Sequence, residues 1–271
     1  MQHAQEIVMS LRHRPPRIFA VLLATTSSPT RSPNNALETE DPAMTNNPNE
    51  LTIENSVLVL IDHQPAVAIN VRSIDLGLLV NNVACLSQVA KALGVPTVLT
   101  TVGAEGSVLV DPLFKEITEA FPDNKVIDRP SSHAWSHPDV RAAVEATGRK
   151  KLVIAGLVTE VCLAQSVLAA RRDGYDVYFV SDCSGGVTKE AHDDAKVRMT
   201  MAGAKPINWM ALTGEWAPYW ASPERALVSN IDSQRGGTTS ALVVDWIMAQ
   251  ITAGVVKQPD FVSVPVQARS R

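Results

Sequence analysis

Short apolar runs alternate with helical patterns six times between residues 51 and 210, and this alternation constrains the fold more than any other feature of the chain. The runs have the length and the apolar, β-branched composition of buried strands, and they lie at 56–61, 96–101, 125–128, 152–155, 176–180 and 206–209. Strands that alternate with helices usually pair in parallel, and the helices then cover both faces of the sheet. The sequence therefore predicts an α/β fold built on a parallel sheet.

The alternating region is flanked by two segments of different character, which predicts three parts. Residues 1–50 carry many Pro, Asn and Ser loop signals and form an N-terminal extension, whereas residues 51–210 form the α/β domain. Residues 211–271 contain an aromatic cluster and a helical pattern from 242 to 251. We expect this C-terminal helical extension to pack on the domain or on a neighbouring subunit.

The N-terminal extension leaves two interpretations open. Arg12, Arg14 and Arg17 precede the short apolar run 18–24, as in a signal or transit peptide. No clear cleavage site follows, so the alternative is a disordered tail, or a chain whose true start is Met44. The expected compartment is the cytoplasm, or an exported or organellar location if residues 1–30 are a targeting peptide.

Charge, hydropathy and cysteine count exclude several classes of protein. The formal net charge is −4 with no basic stripe, so we expect no nucleic-acid partner. No apolar run reaches the ~18 residues that a membrane span requires, so we expect no membrane association. The chain has three cysteines, Cys85, Cys162 and Cys183, which is too few and an odd number for a disulfide framework and favours a reducing compartment.

Three groups with complementary chemistry follow three different predicted strands. Asp62, Arg129 and Cys162 each lie at the carboxyl end of a run, and these ends share the sheet edge where ligands bind. Cys162 also lies at a predicted helix start with Thr159 as N-cap, where the helix dipole lowers a thiol pKa below about 8.5. The alternative for Cys162 is a small buried core residue. Lys125 is a second candidate cation, on the far end of its strand.

Together these groups fit nucleophilic acyl transfer by a thiolate. A carboxylate can take the thiol proton and return it to a leaving group. A fixed cation can hold that carboxylate and favour the ionised thiol. Backbone N–H groups at the start of the helix can stabilise an oxyanion, and the thiolate forms a covalent intermediate.

Three motifs carry these groups, in the order Val-Leu-Val-Leu-Ile-Asp62-His-Gln, Val-Ile-Asp-Arg129-Pro and Ala-Gly156-Leu-Val-Thr-Glu-Val-Cys162. Their order and spacing resemble the isochorismatase-like cysteine hydrolases, and more closely the YcaC-like subgroup. The resemblance covers about residues 51–210. It implies a three-layer, doubly wound sheet of six parallel strands with helices on both faces.

The resemblance also implies a site and an activity. The catalytic triad would be Asp62, Arg129 and Cys162. The Leu157–Val158 peptide would be cis, with the N–H groups of Val158 and Cys162 forming the oxyanion hole. The activity would be cofactor-independent hydrolysis of a small amide or a related C–N bond, by a homo-oligomer such as a tetramer or an octamer.

Two departures from related enzymes qualify this prediction. The wider family has Lys where this chain has Arg129, and because Arg does not release its proton, Asp62 is left as the only base. Nicotinamidases carry an Asp-x-His-plus-His metal site, whereas His63 and His133 are isolated here, so we expect no bound metal. Gln64, His133 and Trp135 are candidates for the pocket lining, and for His133 and Trp135 ordinary loop packing is the alternative.

Two other classes of protein remain as competing hypotheses. A nucleotide-binding Rossmann domain is disfavoured because no Gly-x-Gly-x-x-Gly follows the first strand. A non-catalytic or redox-responsive scaffold would keep the fold and use Cys162 as an oxidisable thiol.

Asp182, at the end of the fifth strand, is expected to be either a structural cap or a catalytic group.

Overall fold

Six parallel strands form one sheet in the order β3-β2-β1-β4-β5-β6. The computed structural model describes residues 49–103, 111–220 and 222–235, together with 242, 246 and 249–255. The strands are β1 Ser56–Ile61, β2 Thr97–Val102, β3 Val126–Arg129, β4 Lys151–Gly156, β5 Asp176–Val180 and β6 Lys205–Ile207. The predictions for residues 1–48, and most of the helix predicted at 242–251, lie outside the described residues.

Helices lie between the strands and after the last one. They are α1 Pro65–Ala68, α2 Leu76–Ala92, α3 Lys115–Ala120, α4 Pro138–Glu145, α5 Ala164–Arg172, α6 Lys189–Met201, α7 Trp209–Trp216 and α8 Pro223–Arg235. Short 3-10 turns cover Ala134–Ser136 and Ser181–Cys183, and a single π-turn covers Thr159–Leu163. No helix within these described ranges is both long and apolar enough to cross a bilayer.

The strand order reverses between β1 and β4, which confirms the predicted doubly wound fold. From β1 the chain adds strands outward to β3, and from β4 it adds them outward to β6 on the other side. Such a reversal leaves a crevice outside the carboxyl ends of the two central strands. Ile61 pairs with Gly156, so the loops that follow β1 and β4 leave the sheet at the same level.

The sheet is buried on both faces, which explains why its central strands are continuous apolar runs. Side chains alternate along a strand, so β1 sends Leu58 and Leu60 into one core, and Val57, Val59 and Ile61 into the other. The first core is closed by α2, α7 and α8, through residues such as Leu79, Leu86, Leu212 and Val228. The second core is closed by α4, α5 and α6, through residues such as Val140, Val167 and Met199.

Helices α7 and α8, which follow β6, pack on this domain. Trp216 of α7 is buried, and its Nε1 donates to Ser56 Oγ at 3.1 Å. In α8, Arg235 accepts a hydrogen bond on its carbonyl oxygen from Asn81 Nδ2 at 2.8 Å and donates from Nε to Gln88 Oε1 at 3.0 Å. Both helices therefore cover one side of α2.

Several strand boundaries differ from the predicted runs by one or two residues, and local hydrogen bonds are seen at two element boundaries. His137 occupies the N-cap position of α4, and the preceding Ser136 donates from Oγ to the His133 carbonyl at 2.6 Å. The sixth strand ends at Ile207, because Asn208 caps α7 with a hydrogen bond from Ala211 N–H to its Oδ1 at 2.7 Å. Both are local side-chain bonds that compete with regular structure.

β1 and β4 pack so closely at Gly156 that any side chain at this position should destabilise the fold. A Cβ at Gly156 would lie 2.9 Å from Ile61 Cβ and 3.2 Å from the Ile61 carbonyl oxygen. We expect Gly156→Ala to lower the free energy of unfolding by about 1–3 kcal/mol, because the central strands would have to separate. Urea unfolding monitored by circular dichroism measures this change.

Gly214 provides the matched control, because it lies inside α7 and an added Cβ meets nothing within 4 Å. Gly214→Ala should raise the free energy of unfolding by about 0.5–1 kcal/mol through helix propensity. Shifts of the same sign in the two variants would contradict the close contact at Gly156.

Candidate active site

Asp62 begins the site at the end of β1 and has an unusual backbone conformation. Its φ is +56°, and it is the only non-glycine residue with positive φ in the described part of the chain. Its N–H donates to the Thr100 carbonyl at 3.0 Å, and its carbonyl accepts from Gln64 N–H at 2.7 Å. Asp tolerates this left-handed region better than most residues do. The conformation ends the strand at once and keeps Asp62 fully buried at the sheet edge.

Arg129 reaches Asp62 from the edge strand β3. The two strands are separated by β2, a distance of roughly 10 Å, which the long Arg side chain can span. Its Nη2 lies 2.5 Å from Asp62 Oδ2, and both side chains have no solvent exposure. Its Nη1 donates to the Ser131 carbonyl. Lys125, the other candidate cation, is solvent-exposed at the opposite end of β3, so Arg129 is the cation of this site.

Cys162 completes the cluster from the π-turn between β4 and α5. The residue is 6% exposed, and its thiol lies near the Asp62 carboxylate, whose Oδ1 has no hydrogen-bond partner among the described residues. Burial raises the pKa of Cys162 to about 12, and the negative charge of Asp62 acts in the same direction. Arg129 and the Val158 N–H favour the thiolate but do not outweigh these effects. The expectation of a thiol acidified by a helix dipole is therefore wrong.

The Asp62 carboxylate is the group whose pKa lies near neutral. Burial raises the pKa of Asp62 from 3.8 to about 6, while Arg129 and the Cys162 thiol limit this increase. At neutral pH the Cys162 thiol is therefore protonated, and the Asp62 carboxylate beside it is ionised. A base with a pKa close to the working pH is well suited to proton transfer.

The backbone before Cys162 presents an N–H group to the sulfur. The Leu157–Val158 peptide is cis, and the Val158 N–H interacts with the Cys162 sulfur and lowers the thiol pKa. Leu157 N–H donates to the Ile61 carbonyl at 3.0 Å, and Thr159 N–H donates to the Gly185 carbonyl at 2.9 Å. The segment is thus tied to β1 on one side and to the loop after β5 on the other.

The remaining predicted pocket residues have their polar groups bound within the protein. Gln64 is fully buried, where its Oε1 accepts from Val102 N–H at 2.9 Å. His133 Nε2 lies 3.0 Å from the Gln165 carbonyl. Trp135 is 3% exposed, and its Nε1 donates to Asp173 Oδ2 at 2.8 Å, which ties the loop after β3 to the end of α5. Gln64 and Trp135 are therefore buried and hydrogen-bonded within the protein.

Two other residues considered from the sequence, Asp182 and His63, are each hydrogen-bonded to the backbone. Asp182 Oδ1 accepts from Trp209 N–H at 2.9 Å, at the start of α7, as expected of a structural cap. His63 is fully buried, with Nε2 2.9 Å from the Cys183 carbonyl, and burial lowers its pKa to about 4. Within the part of the chain that the structure describes, no three His, Cys, Asp or Glu side chains converge as a metal site requires.

His192 has no distinguishing signal in the sequence, and Thr159 has a role other than the predicted one. Thr159 was the predicted N-cap, but Val158 occupies that position, and Thr159 Oγ1 lies 2.8 Å from Nδ1 of His192 on α6. A single histidine in an amphipathic helix is a weak signal, because its partner is distant in sequence. Only the fold brings α6 against the turn that carries Cys162.

Comparison with known proteins identifies relatives over this region. The Isochorismatase domain family model matches residues 56–211. YcaC of Escherichia coli is 37% identical over 178 residues, which cover 64% of this chain and 83% of that protein. The secreted isochorismatase effector Isc1 of Phytophthora sojae is 33% identical over 118 residues, which cover 42% of this chain and 55% of that protein.

Solved structures agree with the sequence comparison. YcaC from Pseudomonas aeruginosa, determined with hexane-2,5-diol and covalent acrylamide, superposes with a TM-score of 0.70 at 33% identity, covering 74% of this chain and 98% of that chain. The crystal structure of E. coli YcaC, an octameric hydrolase, also gives a TM-score of 0.70, at 34% identity, covering 74% of this chain and 98% of that chain.

The buried ion pair predicts a pH-dependent loss of stability when its cation is removed. Arg129→Met leaves the Asp62 carboxylate buried without a counter-ion, which should cost about 3–5 kcal/mol of unfolding free energy near pH 8. The pKa of Asp62, already about 6, rises further without Arg129. Near pH 5 the carboxyl group is protonated, so the loss should be smaller. Urea unfolding at both pH values measures the difference.

The double variant Asp62→Asn/Arg129→Met is the control for that experiment. It removes both charges, so its stability should depend less on pH than that of Arg129→Met. An equal loss in Arg129→Met at both pH values would show that Asp62 is not the titrating group.

The site also predicts selective alkylation. Iodoacetamide should modify Cys162 before Cys85 and Cys183, because the latter two are fully buried, whereas Cys162 is 6% exposed and lies beside the Asp62 carboxylate. Peptide mass spectrometry after timed labelling measures the order, and guanidinium-unfolded protein, in which all three thiols react, is the control. Equal slow labelling of all three in the native protein would favour a non-catalytic scaffold.

Proposed function

The chain belongs to the isochorismatase family and is a YcaC-like hydrolase of that family, and we propose that it cleaves a small amide or a related C–N bond with Cys162 as the nucleophile. The observation that carries this proposal is the buried arrangement in which one carboxylate, Asp62, binds the Arg129 guanidinium and lies near the Cys162 thiol. No cofactor is needed for the chemistry that these groups offer.

The first step is acylation of the thiol. Asp62 accepts the proton of Cys162 as the sulfur attacks the carbonyl carbon of the substrate, and a C–S bond forms. The carbonyl oxygen becomes an oxyanion, which accepts hydrogen bonds from the N–H groups of Val158 and Cys162. When the C–N bond breaks, Asp62 gives its proton to the departing amine, and a thioester remains on Cys162.

The second step is hydrolysis of the thioester. A water molecule gives a proton to Asp62 and adds its hydroxyl group to the acyl carbon, which forms the oxyanion again. The C–S bond then breaks, the proton on Asp62 returns to the sulfur, and the carboxylic acid leaves. The enzyme is regenerated with the proton on Cys162, in agreement with the raised pKa of that thiol.

Arg129 holds the base in this mechanism without exchanging protons. A guanidinium stays protonated at any working pH, so it cannot replace Asp62 as the base. Its bond to Asp62 Oδ2 fixes one oxygen, and its charge keeps the carboxylate from becoming fully protonated at neutral pH. The exchange of the family Lys for Arg therefore changes the shape of the cationic group but keeps its charge.

The structures of two relatives support a small substrate and an oligomeric assembly for this chain. YcaC from P. aeruginosa was determined with covalent acrylamide, a small amide that reacts with thiols. Cys162 is only 6% exposed in this chain, which is consistent with a substrate of similar size. E. coli YcaC is an octamer, and we propose a homo-oligomer, such as a tetramer or an octamer, for this chain as well.

The proposal predicts acylation by p-nitrophenyl acetate with a defined pH dependence. Wild-type protein should release a burst of p-nitrophenolate, and Cys162→Ala should release none. Because ionised Asp62 is the base, the burst rate should increase with pH, with an apparent pKa of about 6, and then become constant. Stopped-flow absorbance and the mass of the acylated peptide measure both quantities.

Asp62→Asn tests the role of the base in the same assay. It should slow the burst by about 10²–10⁴-fold and remove the inflection near pH 6. A normal burst in this variant, or a wild-type rate that keeps rising in proportion to hydroxide through pH 9, would contradict proton transfer to Asp62.

A further inference from the structure

The turn that carries Cys162 is contacted by a buried side chain outside the triad. His192 of α6 is 7% exposed, and its Nδ1 lies 2.8 Å from Oγ1 of the fully buried Thr159. Burial lowers the pKa of His192, so the ring is neutral at physiological pH. A neutral imidazole thus reaches from a separate helix to the first residue of the π-turn.

The hydroxyl group and the N–H group of Thr159 both form hydrogen bonds outside the turn. The hydroxyl group meets His192, and the N–H donates to the Gly185 carbonyl at 2.9 Å. That N–H belongs to the peptide that follows Val158, so the two bonds orient Val158 from its carboxyl side. On its amino side, Leu157 N–H donates to the Ile61 carbonyl at 3.0 Å. The direction of the Val158 N–H therefore depends on contacts from both sides.

The contact between His192 and the turn is closely packed. A Cβ at Gly186 would lie 3.0 Å from His192 Cβ and 2.5 Å from Glu160 Oε2. Glu160, the second residue of the turn, accepts the Val187 N–H on Oε1 at 3.0 Å. Gly186 therefore packs closely between the backbone end of His192 and the Glu160 side chain, which brings α6 and the turn into contact.

We propose that His192 is a positioning residue for the oxyanion hole beside Cys162. Through Thr159 it holds the π-turn so that the Val158 N–H and the Cys162 sulfur face one acyl group, the N–H toward its oxygen and the sulfur toward its carbon. This inference rests on the proposed acyl transfer, because an oxyanion forms only in that reaction. Loss of the His192 bond misaligns the oxyanion hole while the thiol and its base remain in place.

Two reactions of the same thiol separate this role from a purely structural one. p-Nitrophenyl acetate is attacked at a carbonyl carbon and forms an oxyanion, whereas iodoacetamide is attacked at a saturated carbon and forms none. His192→Leu should slow acylation by about 10- to 100-fold and change alkylation of Cys162 little. His192→Asn, whose amide has a hydrogen-bonding atom near the place of Nδ1, should recover most of the acylation rate.

Thr159→Val removes the same hydrogen bond from the other partner. It should reproduce the effect of His192→Leu, and the double variant should be no slower than either single variant, since one interaction is lost in all three. If His192→Leu does not fold, as judged by circular dichroism, Thr159→Val with Thr159→Ser as its rescue gives the same test.

Thr188→Val is the matched control, because Thr188 caps the same helix by accepting the Ala191 N–H at 3.0 Å and lies outside the turn. It should lower the melting temperature without changing the ratio of the two rates. Three outcomes would overturn the role of His192 and leave the proposed function intact. They are equal slowing of acylation and alkylation in His192→Leu, unchanged acylation in that variant, and no recovery of acylation in His192→Asn. Absence of acylation in the wild-type protein would overturn the proposed function, and the inference with it.

Discussion

The buried ion pair between Asp62 and Arg129 governs the arrangement of the whole site. Both side chains have no solvent exposure, so each charge depends on the other and on nearby dipoles for compensation. The pair joins β1 to the edge strand β3 across β2. It also sets the chemistry, because burial raises the pKa of Asp62 while Arg129 keeps it at about 6. A carboxylate in this range is ionised at neutral pH and still basic.

The position of the pair follows from the strand order. β1 and β4 lie side by side at the point where the order reverses, and their last residues, Ile61 and Gly156, pair in register. The two loops that leave these strands therefore begin together, one with Asp62 and the other with the segment before Cys162. Glycine at 156 allows the close approach, since an added Cβ would meet Ile61 at 2.9 Å.

The thiol of this site differs from the usual activated cysteine. Burial and the Asp62 carboxylate raise the pKa of Cys162 to about 12, against the effects of Arg129 and the Val158 N–H. The resting sulfur is therefore protonated, and attack on a carbonyl requires simultaneous transfer of the proton to Asp62. Such a site is less open to adventitious oxidation than a free thiolate would be, since the thiolate is the species that reacts with oxidants.

The sequence by itself determined the sheet and the three groups at its edge. Apolar runs bounded by Asp62, Arg129 and Gly156 are local features, and the carboxyl ends of parallel strands share one edge. Tertiary structure alone decided the pKa of Cys162, the π-turn, and the packing of Gln64 and Trp135, since these depend on burial and distant partners. Thr159 and His192 are 33 residues apart, and no local pattern predicts that they meet.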